Sequence, residues 1–255
     1  MIQSTYTARS GLIAQQQRMD IIANNMANLS TTAYKAVRAD FKDALYQTMT
    51  RPVQPQDGLN LQKGTGVLLG ATTRDFTQGT PQMTGGALDL MLSGDGFFTV
   101  QDIDGETVYT RDGTFALSAE EGGTFLVTGD GRYVLNKNGQ PIDIKDASTA
   151  DLSIQADGTI WNTAKGEELG QLGIFTFVNR QGLLARSGNR FEATDSSGEA
   201  IKSTATVRQG YLESSNVDLA GEMVRMIRAS RVFSLTSRAL TTADQMDSEA
   251  NQIRR

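Results

Sequence analysis

The 255-residue sequence predicts an α+β protein, in which paired, coiled-coil-like N- and C-terminal helices flank a central antiparallel all-β domain. Three observations lead to this fold class. Glycine is concentrated in the middle of the chain, because 24 of the 26 glycines lie between residues 58 and 210. Apolar residues recur at heptad spacing near both ends. The glycine-rich middle alternates apolar and polar residues between turn signals.

The N-terminal helix is predicted from apolar residues separated by 7, 3, 4 and 3 positions, which form a seam suited to another helix. They are Leu12, Met19, Ile22, Met26 and Leu29. Near the end of this helix lie three asparagines, Asn24, Asn25 and Asn28, although Asn is a poor helix former.

Side-chain amides both donate and accept hydrogen bonds, so these asparagines could fix the register between helices of neighbouring subunits. A single-chain core has little use for such a polar strip. For Asn28, a helix end that frays into the Ser30–Thr32 turn is an equally good explanation.

The C-terminal helix is predicted to follow the segment "SSNVD", where Ser215 precedes Asp218 by three residues as in a capping box. Its seam has spacings of 4 and 3 and comprises Leu219, Met223, Met226, Ser230, Phe233, Ser237 and Leu240. Arg225, Arg228 and Arg231 follow one face at a spacing of three, with Arg238 two turns on. A solvated face and salt bridges to neighbouring subunits both account for this arginine row.

The β domain is predicted from turn dipeptides at regular intervals between short apolar runs, as in an antiparallel sheet protein. Asp104-Gly105, Asp112-Gly113, Asn138-Gly139 and Asp157-Gly158 are such turns. The predicted domains are residues 1–49 with 211–255 (a helical assembly domain), 50–67 (a linker or extended arm) and 68–210 (the β domain). Two isolated helices leave apolar seam exposed, which predicts self-association.

Composition argues against several classes of function. The chain has no Cys and no His, which removes zinc sites, thiol chemistry and histidine-based catalysis. The net charge of −5 gives no reason to expect nucleic acid. No apolar run approaches the roughly 18 residues of a membrane span, and the N-terminus lacks the features of a cleavable signal peptide. Asp102 with Asp104, and Glu120 with Glu121, are interpreted as turn acids, so no catalytic, cofactor or metal site is predicted.

Taken together, four segments resemble the bacterial flagellar rod and hook proteins of the axial structure. They are "QQQRMDIIANNMANLSTTAYKA", "LDLMLSGDGFFTVQ", "YTRDGTF" and "RQGYLESSNVDLAGEMVRMIRASRVF", and they occur in the family's order along nearly the whole chain. Ala33 replaces the family's Gly before the aromatic-Lys pair, so a left-handed turn is less expected there. Within "RASRVFSL", which departs from the family's usual run, Arg231 and Phe233 match its basic and aromatic positions.

The resemblance implies a structural subunit of the basal-body rod, most like the distal rod members, with a proximal rod member as the alternative. It implies that the partners are copies of the chain, neighbouring rod and hook proteins and the flagellar type III export apparatus, with no nucleic acid, membrane insertion or cofactor. Location in the basal body and export without a cleaved signal peptide are further implications. A secreted cell-wall-binding protein is the less favoured alternative, and a wall-cleaving enzyme ranks last.

Overall fold

The computed structural model describes residues 2–48, 62–120, 123–145 and 148–253. Most of the predicted linker, residues 50–61, and Glu121 of the second acidic pair lie outside this described part. The chain divides into two compact units. The helical unit comprises residues 1–27, 37–75 and 218–255, and the β unit comprises residues 28–36 and 76–217.

Both predicted helices are confirmed, as α1 (Ile2–Ala27) and α2 (Leu219–Ile253). The residue that caps α2 is Asp218, whose carboxylate accepts hydrogen bonds from the backbone N–H groups of Ala220 (3.2 Å) and Gly221 (3.1 Å). Ser215, the predicted cap, instead accepts the N–H of Val217 at 3.3 Å. The cap lies at Asp218 because that residue immediately precedes the first helical turn.

The helical unit also contains four strands. β1 (Val37–Asp43) pairs antiparallel with β4 (Val67–Arg74), with a register shift between Asp40 and Phe41. β2 (Tyr46–Thr48) pairs with β3 (Gln62–Gly64). Residues 37–48, which the sequence prediction grouped with the N-terminal helix, therefore form strands. The heptad pattern stops at Leu29, and the β-branched and aromatic residues beyond it favour extended structure.

The β unit consists of short antiparallel strands, as the sequence predicted. They are β5 (Pro81–Met83), β6 (Leu90–Ser93), β7 (Phe97–Gln101), β8 (Thr107–Thr110), β9 (Phe115–Glu120), β10 (Gly123–Thr128), β11 (Leu152–Ile154), β12 (Thr159–Asn162), β13 (Glu167–Gln171), β14 (Ile174–Thr176), β15 (Leu184–Arg186), β16 (Arg190–Glu192), β17 (Ile201–Lys202), β18 (Thr206–Gln209) and β19 (Tyr211–Glu213). Short 3₁₀ helices cover Thr149–Asp151 and Arg180–Gly182.

These strands form one six-stranded sheet, in the order β15-β16-β8-β7-β14-β17, and several smaller sheets. β11, β12 and β13 form a three-stranded sheet, while β9 pairs with β10, β6 with β18 and β5 with β19. The predicted turn at Asp104-Gly105 is confirmed as the β7–β8 hairpin. There Gly105 has φ +81° and donates its N–H to the carbonyl of Asp102 at 3.0 Å.

Two buried clusters stabilise the β unit. The larger cluster is mainly aliphatic and includes Leu90, Leu126 and Ile144, which have no solvent exposure. The smaller cluster is aromatic, with ring centroids 4.8 to 6.2 Å apart and mostly edge-on, a favourable arrangement for such rings. It comprises Phe76, Phe97, Tyr109, Phe177 and Phe191. Burial raises the pKa of Tyr109 in this cluster.

Candidate assembly interface

Within the helical unit, α1 and α2 contact each other along one face of each helix. Asn25 Nδ2 lies 3.5 Å from Glu222 Oε1, and a β-carbon added at Gly11 would lie 3.9 Å from Thr236 Cγ2. The helices therefore run antiparallel at these contacts, because the sequence number falls along α1 as it rises along α2. Seven buried or half-buried positions of α2 alternate in spacing between 4 and 3, and Gly221 and Ser237 are half-buried beside them. The seven are Glu222, Met226, Ala229, Phe233, Thr236, Leu240 and Ala243.

The sequence-based prediction placed part of the α2 seam one residue too close to the C-terminus. Met226, Phe233 and Leu240 are half-buried, but Leu219 and Met223 are exposed by 38% and 47%. The inward positions beside the predicted ones are Glu222, Ala229 and Thr236. Glu222 carries no hydrophobic signal, so the periodicity favoured Met223 beside it.

The predicted residues of α1 lie mostly on its less exposed side. Ile22 is buried, whereas Leu12, Met19 and Met26 are half-buried. Leu29 is also half-buried, but it belongs to the segment 28–36 of the β unit. α1 contacts the strands of its own unit as well, since Ser10 Oγ accepts the N–H of Val67 at 3.3 Å.

Asn25 makes hydrogen bonds within a single chain. Its side chain is 1% exposed, its Nδ2 donates to the carbonyl of Val37 at 2.9 Å, and its Oδ1 accepts the N–H of Val37 at 3.0 Å. The amide therefore joins the end of α1 to the first residue of β1. The interpretation that a single chain has little use for these amides is wrong for Asn25.

The other two asparagines differ in exposure. Asn24 is exposed, while Asn28 Oδ1 accepts the hydroxyl of Thr31 at 3.1 Å in the turn that follows α1.

The face of α2 opposite the α1 contact is the outer face, and it combines apolar residues with arginines. Val224, Ile227 and Leu235 are exposed by 47%, 52% and 65%. The arginines of this face, Arg228, Arg231 and Arg238, are exposed as well. Exposed apolar residues mixed with arginine are characteristic of protein–protein interfaces.

A buried charge cluster in the β unit is the feature that sequence reasoning missed. The carboxylate of Glu213 accepts hydrogen bonds from Lys35 Nζ at 2.5 Å, from Arg111 Nη1 at 3.0 Å and from the backbone N–H of Gly79 at 2.8 Å. The three charged residues are between 1% and 3% exposed. Lys35 Nζ also donates to the carbonyl of Thr77 at 2.7 Å.

This cluster brings together segments that are far apart in the sequence. Lys35 comes from "TTAYKA", Arg111 from "YTRDGTF" and Glu213 from "RQGYLESSNVD". Arg111 also donates to the carbonyl of Gly94 in "SGDGFF", and its guanidinium lies 5.8 Å from the ring centroid of Phe97. The four segments that carry the family resemblance therefore meet at one buried charge cluster.

The turn before Lys35 is left-handed even though it lacks glycine. Ala33 has φ +55°, is 2% exposed and donates its N–H to the carbonyl of Glu213 at 2.8 Å. A non-glycine residue in this conformation costs about 1 kcal/mol. Its hydrogen bond and the Lys35–Glu213 pair two residues later hold the backbone there.

Two of the acids considered for catalysis, Asp102 and Glu120, have structural partners. Asp102 pairs with Arg132, and Glu120 accepts the hydroxyl of Tyr133 at 2.6 Å, an interaction that raises the pKa of that tyrosine. Among residues 2–48, 62–120, 123–145 and 148–253 there is no group of three or more Asp, Glu, His or Cys placed to hold a metal. Nor is either helix, over its described length, apolar enough to cross a membrane.

The described residues form two terminal helices and a unit of short antiparallel strands, an architecture typical of a structural subunit. Three family descriptions match the sequence: "Flagella basal body rod protein" over residues 6–35, "Flagellar hook protein FlgE/F/G D1 domain" over 91–162 and "Flagellar basal body rod FlgEFG protein C-terminal" over 208–253.

Several similar whole proteins are named flagellar basal-body rod protein FlgG. Those of Buchnera aphidicola from Acyrthosiphon pisum and of Borreliella burgdorferi are each 38% identical, and that of Bacillus subtilis is 36% identical. The matches cover 99% to 100% of this chain and 100% of each relative. The chain belongs to the FlgG family of flagellar basal-body rod proteins. The cell-wall-binding alternative is not favoured.

Proposed function

We propose that this structural subunit of the flagellar basal-body rod polymerises helically through its helical unit, in the distal part of the rod. With neighbouring rod and hook proteins it forms the shaft that transmits motor torque to the hook. The observation that carries the proposal is the outer face of α2, where Val224, Ile227 and Leu235 are about half exposed or more. Burying such a side chain contributes about 1.5–3 kcal/mol, which a neighbouring subunit would supply.

We further propose that α1 and α2 form a coiled coil within each subunit. The Asn25–Glu222 and Gly11–Thr236 contacts are 14 residues apart on both helices, which is two heptads. The alternating spacing of 4 and 3 along the inward face of α2 supports the same arrangement. In this proposal the helical unit assembles around the rod axis.

Assembly of this kind uses heterologous contacts, in which one surface of a subunit meets a different surface of the next. Such contacts repeat open-endedly and generate a helix rather than a closed ring. Among the predicted contact residues, Asn24, Met223 and Arg231 are exposed and remain proposed contacts between subunits. Ile22 and Asn25 are buried within the chain. The chain acts as a structural protein rather than an enzyme.

The proposal includes export by the flagellar type III apparatus without a cleaved signal peptide. The exposed apolar residues of the terminal helices would then be buried by a neighbouring subunit, which couples the last folding step to assembly.

The test is a Met223→Asp substitution in cells whose own rod gene is replaced by this one. Met223 is 47% exposed, so the substitution should leave the folded monomer intact but place a charge in the proposed interface. Rods should fail to form and swimming should be lost. Met83→Asp, at a 75% exposed methionine of β5 in the β unit, is the matched control and should swim. Normal motility of the Met223→Asp cells would contradict the proposal.

A further inference from the structure

α2 carries its charges in two blocks. Four arginines lie between residues 225 and 238, and no acidic residue occurs between Met223 and Ala243. Asp244, Asp247 and Glu249 then follow within six residues, with no basic residue before Arg254. The helix is therefore positive along its middle and negative near its end.

The opposite charges recur on the same face of the helix. Arg231 and Glu249 are 18 residues apart, which is five turns at about 3.6 residues per turn and about 27 Å along the axis. Both side chains are exposed, and within the described part of the chain neither has an ion-pair partner. The same spacing relates Arg228 to Met246, whose side chain is 57% exposed.

An unstaggered pair of parallel α2 helices would be disfavoured, because Arg231 of one copy would face Arg231 of the other and like charges repel. A displacement of five turns removes that repulsion and brings Glu249 level with Arg231. It also brings Met246 level with the exposed Ile227 and the stem of Arg228, so that apolar surface is covered at the same time.

We propose that the outer face of α2 binds a second copy of this chain through a parallel, five-turn stagger. Glu249 of one copy pairs with Arg231 of the next. A displacement along the helix axis can repeat without closing, as a polymer requires. This inference rests on the proposed function and specifies which surface of the next subunit meets α2.

The test is disulfide trapping in basal bodies isolated from cells that carry the variant chain. The natural sequence has no Cys, so every disulfide arises from the introduced pair. A disulfide requires Cα atoms within about 7 Å, which makes the trap specific for the stagger. The variant Arg231→Cys/Glu249→Cys should give a ladder of cross-linked multimers on mild oxidation, at least tenfold stronger than either single variant gives.

The matched control is Arg238→Cys/Glu249→Cys, which keeps one partner and moves the other by seven residues, about 10 Å along the same face. It should give no ladder. A charge exchange adds a second readout. Arg231→Glu and Glu249→Arg should each reduce the rods per cell at least tenfold, and the double variant should restore them to within about threefold.

The outcomes separate the two proposals. Rods that contain the chain but yield no 231–249 ladder, and that tolerate both single charge reversals, would overturn the stagger and leave the rod function intact. Basal bodies that lack the parent chain altogether would overturn the rod function as well.

Discussion

Replacing Glu213 by Gln is expected to destabilise the β unit severely. The carboxylate accepts from Lys35, Arg111 and the N–H of Gly79. A glutamine side chain has one acceptor oxygen and one NH₂ group that only donates, so this NH₂ group would face either the ammonium or the guanidinium. Two cations that are at most 3% exposed would then lose the carboxylate that they share.

The magnitude follows from this burial. Breaking a buried ion pair by removing one partner costs about 3–5 kcal/mol. That is a large part of the roughly 5–15 kcal/mol by which domains are stable. With a urea dependence of about 2 kcal/mol/M, a loss of 4 kcal/mol lowers the unfolding midpoint by about 2 M.

The assay is urea unfolding followed by the fluorescence of Trp161, the single tryptophan, which lies in β12 of the β unit. Glu192→Gln is the matched control. Glu192 pairs with Arg186 at 2.7 Å, but these side chains are 28% and 45% exposed. Such a pair contributes about 0–1 kcal/mol, so the midpoint should fall by at most about 0.5 M. Equal shifts for the two variants would refute the reasoning about the buried cluster.

Three further predictions concern other parts of the fold. Asn25→Ala should cost about 1–3 kcal/mol and speed hydrogen exchange of the Val37 amide, because the two bonds of the buried side-chain amide to Val37 are lost. Unchanged exchange would count against the α1–β1 link. Gly113→Ala should prevent folding, since a β-carbon there would lie 1.7 Å from the carbonyl oxygen of Leu90. At Gly129 an added β-carbon meets nothing within 4 Å, so Gly129→Ala should leave the thermal unfolding midpoint unchanged. Equal thermal midpoints for the two variants would contradict this. Hydrogen bonds from the N–H and hydroxyl of Thr159 lower the pKa of Asp157. The contribution of Asp157 to stability is therefore present above its unfolded pKa of about 3.9 and is lost as pH falls through its lowered folded-state pKa. Asp157→Asn should therefore make stability less dependent on pH below about pH 4. An unaltered acid transition would contradict this.

Local patterns allowed much of the fold to be predicted from the sequence. The heptad spacing gave both helices, and turn dipeptides such as Asp104-Gly105 gave the antiparallel hairpins, because each signal is contained within a few neighbouring residues. The strands at residues 37–48 were missed because they lie directly after a helical pattern. The inward position at Glu222 was missed because a carboxylate carries no apolar signal, whereas the exposed Met223 beside it does.

The buried cluster could not be predicted from spacing alone. Lys35 and Glu213 are 178 residues apart, and charged side chains are rarely buried unless paired. Nothing local in "TTAYKA" distinguishes a buried lysine from a solvated one. One sequence signal was available, since the segments that carry Lys35, Arg111 and Glu213 are the same ones that carry the family resemblance. Charged residues beside apolar ones in those segments are consistent with a buried site to which the segments contribute together.

Electron microscopy of isolated basal bodies tests the central claim most directly. A small tag inserted at Asp130, in the exposed Gly129–Gly131 turn of the β unit, would mark each subunit. The account predicts labels along the rod in a regular helical array, in cells that swim. Swimming cells whose rods carry no label, although the tagged chain is made and folded, would contradict it.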